Sequence, residues 1–375
     1  MNRKANLLAI AVFCGFIGVF FVINLFTPDR SFSEDENRYL AARPELSVKS
    51  LFFGNFTADY ETYVTDQFVW RDGFIAVKAA AERASGKQEN NGVYFGKDGF
   101  LTERFDAPDA ARVEKNIASV RRFCQRTDMP VYFTLIPNSS YVWRDKLPEN
   151  APGADQGALI DEIRAALGSE VRYIDTLAAL QAHKDEAIYY NTDHHWTTLG
   201  AFYGYGAACE AMGLSAKDRA GYEDGITALE GFYGTAYSRS GVRWVAADTV
   251  EIWVPEEKIG SVTYYTDGKP EAGSYYDMSF AEKKDKYSAF MSGNQPLVVI
   301  RTGAESGRKL LYIKDSFANC EIPFFTADFS EIHVVDLRFY KAKLSDYAAE
   351  NGITDALISY SVANFTSDTG LAFLG

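Results

Sequence analysis

Two short segments, far apart in the chain, contain the residue types of an activated serine. Residues 192–196 read Thr-Asp-His-His-Trp, and residues 310–317 are an apolar run that ends on Lys-Asp-Ser-Phe. A serine hydroxyl becomes a strong nucleophile when an imidazole takes its proton, and a carboxylate on the other ring nitrogen fixes the tautomer of that imidazole. Side chains at i and i+2 of an extended loop share a face. The spacing therefore predicts Asp193 as orienter, His195 as base and Ser316 as nucleophile.

Each part of this pattern also has a plainer explanation. An Asp-Ser pair between a strand and a helix is often a helix N-cap, and an Asp-x-His spacing alone is a weak signal. A His pair beside an aspartate could bind a metal ion, but the ligands nearby are too few, so we predict no metal and no cofactor. Trp196 either walls the site and binds a sugar face or is a core aromatic.

Strands that alternate with helices predict an α/β fold with a parallel sheet and helices on its faces. The predicted strands are 130–137, 171–174, 297–301, 309–313, 331–336 and 356–361, and the predicted helices are 107–127, 157–167, 198–212, 317–325 and 344–351. Ser316 then follows a strand, where ligands bind in open α/β sheets. The N-terminus of the next helix would present N–H groups to an oxyanion.

Three further regions depart from this rhythm. Residues 51–86 are predicted to be largely helical, with Gly54 and Gly73 as weak points, and residues 92–101 are predicted to form a β-hairpin that turns at 97–99. Between about 215 and 295, strands at 249–254 and 261–266 and frequent glycines predict a β-rich insertion.

The N-terminal region predicts a membrane anchor. Arg3 and Lys4 precede a nearly unbroken apolar run, Leu7–Phe26, which is long enough to span a bilayer. The positive-inside rule places the tip in the cytoplasm and the body outside the cell membrane, as a single-pass protein. A cleaved signal peptide is the alternative, although its apolar region is normally shorter. We therefore divide the chain into a tip and anchor (1–30), a stalk and helical segment (31–90) and a catalytic domain (91–375).

Composition excludes some classes of function. The net charge of −13 and pI near 4.9 argue against a nucleic-acid partner, because phosphate binding needs clustered Lys and Arg. Cys14, Cys124, Cys209 and Cys320 show no CxxC spacing, so a zinc site is not expected. The aromatic fraction of 15% suits either a core or the stacking of sugars.

Residues 193–196, Asp-His-His-Trp, resemble the motif that names the DHHW family of bacterial surface proteins. Six other segments also resemble this family: 36–38, 66–68, 91–94, 285–287, 293–294 and 314–317. The family is similar to the alginate O-acetyltransferases, whose fold is SGNH-hydrolase-like and whose Asp-x-His-Trp motif precedes the serine segment, so that the triad order is permuted. The resemblance implies the same α/β/α fold and the same roles for Ser316, His195 and Asp193.

The resemblance also implies a reaction, in which Ser316 takes an acetyl group and passes it to a hydroxyl of a surface polysaccharide. Acetyl-CoA is not expected outside the membrane, so a transmembrane acyltransferase partner would supply the acetyl groups. Where the family pattern has Gly-Asp-Ser, this chain has Lys314, and the oxyanion donors are less defined. Asn364, Tyr360, Arg338 and Asn138 follow or end predicted strands and are candidates for binding the oxyanion or substrate, or else polar residues that close the sheet.

Two other functions fit the same residues. A polysaccharide O-acetylesterase would use the same triad with water as acceptor. A non-catalytic glycan-binding or scaffold protein of a polysaccharide secretion complex would not need Ser316.

Overall fold

The computed structural model describes residues 3–254, 258–266 and 268–375. The chain divides into two units. The first contains residues 241–243 and the residues up to Lys87, and the second contains residues 88–240 and 244–375.

The first unit begins with helix α1 (Arg3–Phe26), which is long and apolar enough to cross a membrane. The remaining elements of this unit are strands β1 (Phe32–Ser33) and β2 (Arg38–Tyr39) and helices α2 (Val48–Phe52), α3 (Asn55–Asp66) and α4 (Arg71–Ala84). The predicted helical region is therefore divided at Gly54 and at Trp70 rather than at Gly73. Both breaks have left-handed backbone, with φ of 76° and 58°, which cannot continue a right-handed helix.

The second unit contains the remaining strands and helices. The strands are β3 (Glu89–Asn90), β4 (Val93–Phe95), β5 (Leu101–Glu103), β6 (Val131–Ile136), β7 (Arg172–Tyr173), β8 (Thr227–Phe232), β9 (Asp248–Ile252), β10 (Ser261–Thr266), β11 (Lys269–Gly273), β12 (Leu297–Arg301), β13 (Lys309–Lys314), β14 (Glu331–Val335) and β15 (Asp355–Ser361). The helices are α5 (Ala110–Gln125), α6 (Ser139–Val142), α7 (Gln156–Leu167), α8 (Thr176–Ala182), α9 (Thr198–Met212), α10 (Thr235–Ser240), α11 (Leu344–Asn351) and α12 (Val362–Ser367). Two 3-10 helices, Ser316–Cys320 and Ile322–Ala327, replace the α-helix predicted at 317–325.

Eight strands form the central sheet in the order β11-β10-β12-β14-β13-β15-β6-β7. The strands from β14 to β7 are parallel, as predicted. The prediction of a wholly parallel sheet is wrong at the other edge, because β12 runs antiparallel to β14, β10 to β12 and β11 to β10. A short connection such as that between β10 and β11 can join only antiparallel neighbours. The fold is thus α/β with a mixed sheet.

The region predicted as a β-rich insertion contributes to two different sheets. Strands β8 and β9 form a separate antiparallel pair with a bulge, whereas β10 and β11 extend the central sheet. Residues 255–257 and 267 of that region lie outside the described residues. The predicted hairpin at 92–101 is present as β4 and β5, to which β3 adds a third strand.

The central sheet is buried on both faces, which explains why its inner strands are nearly continuous apolar runs. All seven residues of β15 and all six of β6 are buried. Helices α5, α7, α11 and α12 pack on one face, and α8 and α9 pack on the other. The parallel strands β6, β13, β14 and β15 all end at one edge of the sheet, and Ser316 lies just past the end of β13.

Candidate active site

Ser316 lies at the start of the 3-10 helix that follows β13, and Asp315 caps this helix. One oxygen of Asp315 accepts the Phe317 N–H at 2.9 Å. The other oxygen accepts the N–H and the hydroxyl of Ser361 at 2.8 and 2.7 Å, and Nδ2 of Asn364 at 2.8 Å. The plainer N-cap explanation of Asp315 is therefore correct. The same carboxylate also ties the turn that carries Ser316 to the end of β15.

His195 lies in the loop before α9 and faces the serine. Its Nε2 is 2.8 Å from Oγ of Ser316, and its Nδ1 is 2.6 Å from Oδ1 of Asp193. The backbone N–H of His195 donates to the same aspartate oxygen at 2.9 Å. The structure thus brings together Asp193, His195 and Ser316, whose exposed fractions are only 2%, 7% and 8%.

The second oxygen of Asp193 is held by the start of α10. The N–H and hydroxyl of Thr235 lie 2.8 and 3.1 Å from Oδ2, and the same hydroxyl lies 2.6 Å from Nδ1 of His194. A Cβ at Gly234 would collide with the Asp193 carboxylate, so only glycine fits there. Sequence reasoning missed Thr235, because 42 residues separate it from Asp193 and no local motif marks the pair.

Tyr287 is a second residue that sequence reasoning missed. Its ring stacks on the His195 imidazole with centroids 4.1 Å apart and planes 14° apart. Its hydroxyl donates to the backbone carbonyls of Ser316 and Phe317 at 2.9 and 3.1 Å, and Trp196 Nε1 donates to the latter at 2.7 Å. Tyr287 belongs to segment 285–287, which carried part of the family resemblance. The resemblance therefore pointed to this segment but assigned no role to the tyrosine.

The charges around His195 favour its neutral form. Burial lowers the pKa of His195, the charge of His194 lowers it further, and together they outweigh the opposing effect of Asp193. Burial works to raise the pKa of Asp193, but the two imidazole rings hold it well below its usual range. A neutral His195 that donates Nδ1–H to Asp193 has Nε2 free to accept the proton of Ser316. The arrangement therefore has the geometry that an activated serine requires.

Lys314, which stands where the family pattern has glycine, is fully buried behind the serine. Its Nζ lies 2.9 Å from Oδ1 of Asn294, 2.8 Å from Oδ1 of Asn319 and 3.4 Å from Oδ2 of Asp336. Burial lowers the pKa of Lys314 to about 8. The side chain thus connects β13, the 3-10 helix and the end of β14, and these contacts stabilise the fold around the serine.

The remaining predicted residues occupy different positions. Trp196 and Tyr360 are fully buried, which for Trp196 agrees with the core-aromatic explanation. The Tyr360 hydroxyl lies 3.3 Å from Asp368 Oδ2. Asn364 Nδ2 contacts Asp315 rather than the serine. Arg338 makes a two-point ion pair with Asp336, and its side chain is 30% exposed.

Asn138 ends up apart from these contacts. Its N–H donates to Gln156, and among the described residues its Oδ1 has no hydrogen-bond partner. The expected row of helix N–H groups for an oxyanion is also reduced, because Phe317 N–H is already bonded to Asp315 and the helix has only five residues.

Asp193, His194 and His195 also meet the distance criterion for a metal site, with one ligand atom each within 4.8 Å of the others. Two of these groups, the Asp193 carboxylate and His195 Nδ1, are already hydrogen-bonded to each other. The geometry therefore favours proton transfer along the Asp193–His195–Ser316 series.

Comparisons with known proteins identify a matching family and relatives of similar fold. Residues 109–335, which include Asp193, His195 and Ser316, match the family described as DHHW protein. A DHHW family protein from Eubacterium siraeum has a similar crystal structure, with a TM-score of 0.65 and 29% identity over 76% of this chain and 95% of that one. Bacillus cereus PatB1, solved with a sulfonyl adduct, shares the fold with a TM-score of 0.64 and 22% identity over 75% of this chain and 98% of that one.

One curated relative is described as probable alginate O-acetylase AlgJ of Pseudomonas syringae pv. tomato. It is 27% identical over 212 residues, which is 54% of this chain. The matched region spans only about half of that relative, 51% of its length.

Proposed function

Because this chain belongs to the DHHW protein family, we propose that it is a serine-dependent O-acetyltransferase that acetylates hydroxyls of a surface or secreted polysaccharide. The main support is the hydrogen-bonded series Asp193–His195–Ser316, with distances of 2.6 and 2.8 Å. The relative named as an alginate O-acetylase supports acetyl transfer to a polysaccharide. The exposed apolar helix α1 supports anchoring in the membrane, with the second unit outside the cytoplasm.

In the first half of the reaction, Ser316 Oγ attacks the carbonyl carbon of an acetyl donor while its proton passes to His195 Nε2. Asp193 stays ionised and stabilises the imidazolium that forms. When the tetrahedral intermediate collapses, the bond to the leaving group breaks and His195 returns the proton to that group. The product is acetyl-Ser316.

In the second half, a sugar hydroxyl gives its proton to His195 Nε2 and attacks the acetyl carbon. The bond to Ser316 Oγ then breaks, and Oγ takes the proton back from His195. The Ser316 N–H at the start of the 3-10 helix is a candidate donor to the developing oxyanion, and Arg338, whose side chain is 30% exposed, is a candidate for contacts with the acceptor.

Outside the cytoplasm the acetyl groups need a carrier other than acetyl-CoA. We expect a transmembrane acyltransferase to supply them, and an anchor on α1 would raise the effective concentration of this partner at the site.

The test is an acyl-enzyme experiment on the full-length protein in detergent. The protein is incubated with p-nitrophenyl acetate, the release of nitrophenol is followed, and the acetylated peptide is identified by mass spectrometry, with and without alginate or neutral oligosaccharides. We expect an acetyl adduct on Ser316 that passes to added sugar. Ser316→Ala should lose both adduct and turnover.

Ser330→Ala is the matched control, because it makes the same chemical change at the opposite edge of the sheet, where Ser330 contacts Arg308. Discharge of the adduct to water at a rate that sugars do not change would indicate an O-acetylesterase. Turnover that EDTA abolishes would point to a metal at Asp193, His194 and His195. Absence of adduct and of Ser316-dependent turnover would favour a non-catalytic glycan-binding or scaffold protein.

A further inference from the structure

We propose that residues 68–77, the corner between α3 and α4, are embedded among the lipid acyl chains of the outer leaflet beside α1. A second apolar element would then insert into the membrane in addition to helix α1. This surface presupposes that α1 spans the membrane, as proposed above.

The corner is docked on α1 around a single ring. The centroid of the Phe20 ring lies 5.6 Å from that of Phe68, 5.8 Å from that of Trp70 and 5.5 Å from that of Phe74. Asn24, on the same helix, accepts the N–H of Val69 through its Oδ1 at 2.8 Å. The corner is thus fixed to α1 by both aromatic packing and a hydrogen bond.

The position of Phe20 in the helix sets the depth of the corner. Phe20 precedes the end of α1 at Phe26 by six residues, which corresponds to about 9 Å along a helix axis. Half of a bilayer hydrocarbon core is about 15 Å thick. If α1 spans the membrane to Phe26, side chains that contact Phe20 therefore lie at the level of the acyl chains.

The outer surface of the corner is apolar where it would meet lipid. Phe74 and Val77 lie three residues apart on α4, and Trp70 directly precedes the helix. We call these three side chains the stripe; their exposed fractions are 40%, 67% and 68%. The opposite face of the helix, with Ile75 and Ala79, lies against Gly241 of the same unit. Phe20 packs against Trp70 and Phe74 but leaves the exposed fractions given above, and acyl chains would remove that remaining surface from water.

Trp70 reaches this position through an unfavourable backbone conformation. Its φ is 58° and its ψ is 21°, in the left-handed region that bulky side chains rarely occupy. The conformation places the indole outward beside Phe20, and indole rings are enriched at membrane interfaces. The strained backbone of Trp70 costs free energy, and exposure of its ring to solvent would not offset that cost. Insertion of the ring into a membrane would offset it.

The charged residues of the corner do not oppose insertion. Arg71 pairs with Glu36, and Asp72 lies 2.8 Å from Nη1 of Arg30. Helical spacing places both away from the Trp70 stripe. Arg30 follows the end of α1 by four residues, so these pairs lie at the headgroup level while the stripe points inward.

The experiment measures depth with spin labels on the full-length protein in phosphatidylcholine/phosphatidylglycerol vesicles. Cys124 is first replaced by serine, and the native Cys14, which is exposed on α1, reports on the anchor itself. The test sites are Phe74→Cys and, in case removal of that ring loosens the corner, Val77→Cys, each with Cys14 replaced by serine. Ser85→Cys, exposed just beyond α4, is the matched control. Collision rates with oxygen, which concentrates in lipid, and with a polar nickel chelate are compared.

We expect both test sites to be several-fold more accessible to oxygen than to the chelate, as at Cys14, and the control to show the reverse. If Cys14 is more accessible to oxygen while both test sites are more accessible to the chelate, α1 spans the membrane but the corner is not inserted. Test sites shielded from both reagents would mean that a protein partner or a second copy covers the stripe. If Cys14 faces the chelate, the anchor fails and the insertion fails with it.

Discussion

Two buried aspartates lie beside the serine, Asp193 and Asp315, and each accepts four hydrogen bonds. Asp193 receives its bonds from the backbone and ring of His195 and from the backbone and hydroxyl of Thr235. One of its four partners is therefore a ring that gains and loses a proton in the proposed reaction.

Asp315 receives its bonds from Phe317, Ser361 and Asn364. None of these groups titrates near neutral pH. They belong to three elements around the serine, which are the 3-10 helix, the end of β15 and the first turn of α12. The two carboxylates thus accept equal numbers of hydrogen bonds for different purposes. Asp193 responds to a change of charge on His195, whereas Asp315 fixes the position of Ser316. The difference predicts that one aspartate controls rate and the other controls stability.

The largest expected effect is on rate, in Asp193→Asn. The amide keeps the shape of the carboxylate but cannot stabilise an imidazolium or select the correct tautomer, so we expect acetyl-ester turnover to fall by about 10³- to 10⁴-fold. Turnover and urea denaturation of the same preparation check this. The amide nitrogen faces a buried N–H donor, so some stability is lost, but the protein should remain folded under the assay conditions. A loss of less than tenfold would remove Asp193 from the reaction.

The next effect is on stability, in Asp315→Ala. Removal of the carboxylate leaves the buried N–H groups of Phe317 and Ser361 without their acceptor, and each such group costs about 1–3 kcal/mol. We expect the free energy of unfolding to fall by about 3 kcal/mol, as measured by urea denaturation with an unchanged slope. A variant as stable as the wild type, but inactive, would place Asp315 in the chemistry and erase the contrast with Asp193.

The sequence was sufficient where local signals decide the structure. Continuous apolar runs predicted strands β6, β12, β13, β14 and β15, whereas β8 and β11 were not predicted. The segments around His195 and Ser316 predicted which side chains the structure brings together. The position of Ser316 follows from one rule, that parallel strands share their carboxyl edge, whereas His195 lies in a loop between two helices. The antiparallel direction of β10, β11 and β12 could not be predicted, because the direction of a strand depends on its partner and not on its own residues.

Contacts between distant elements could not be read from residue type. Tyr287 reaches Ser316 across 29 residues, and Thr235 reaches Asp193 across 42. The sequence left two explanations open for Trp196 for a related reason, that an aromatic residue looks the same in a core and in a site, and the structure places its ring in the core.

The smallest expected effect separates the two aspartates by pH dependence, in Thr235→Val. This change removes a hydroxyl 3.1 Å from Asp193 but keeps the N–H bond, so turnover should fall by roughly tenfold, the equivalent of about 1.5 kcal/mol. Because the pKa of His195 is lowered in the wild type, activity should persist below pH 6.5 and fall only as pH drops through that lowered value. A less satisfied Asp193 holds the imidazole proton more strongly, so the acid limb of kcat/KM should move to higher pH in the variant.

Ser361→Ala is the control, since it removes the hydroxyl 2.7 Å from Asp315 and likewise keeps an N–H bond. A larger loss of stability is expected in Ser361→Ala, because that hydroxyl also caps α12 by accepting the Asn364 N–H. The acid limb of Ser361→Ala should nevertheless coincide with that of the wild type, because Asp315 bonds to no imidazole. If both variants moved the limb equally, the two carboxylates would act on His195 through the general field of the site rather than through direct bonds. A limb that stayed in place in Thr235→Val would show that the bond from Thr235 does not reach the proton on His195.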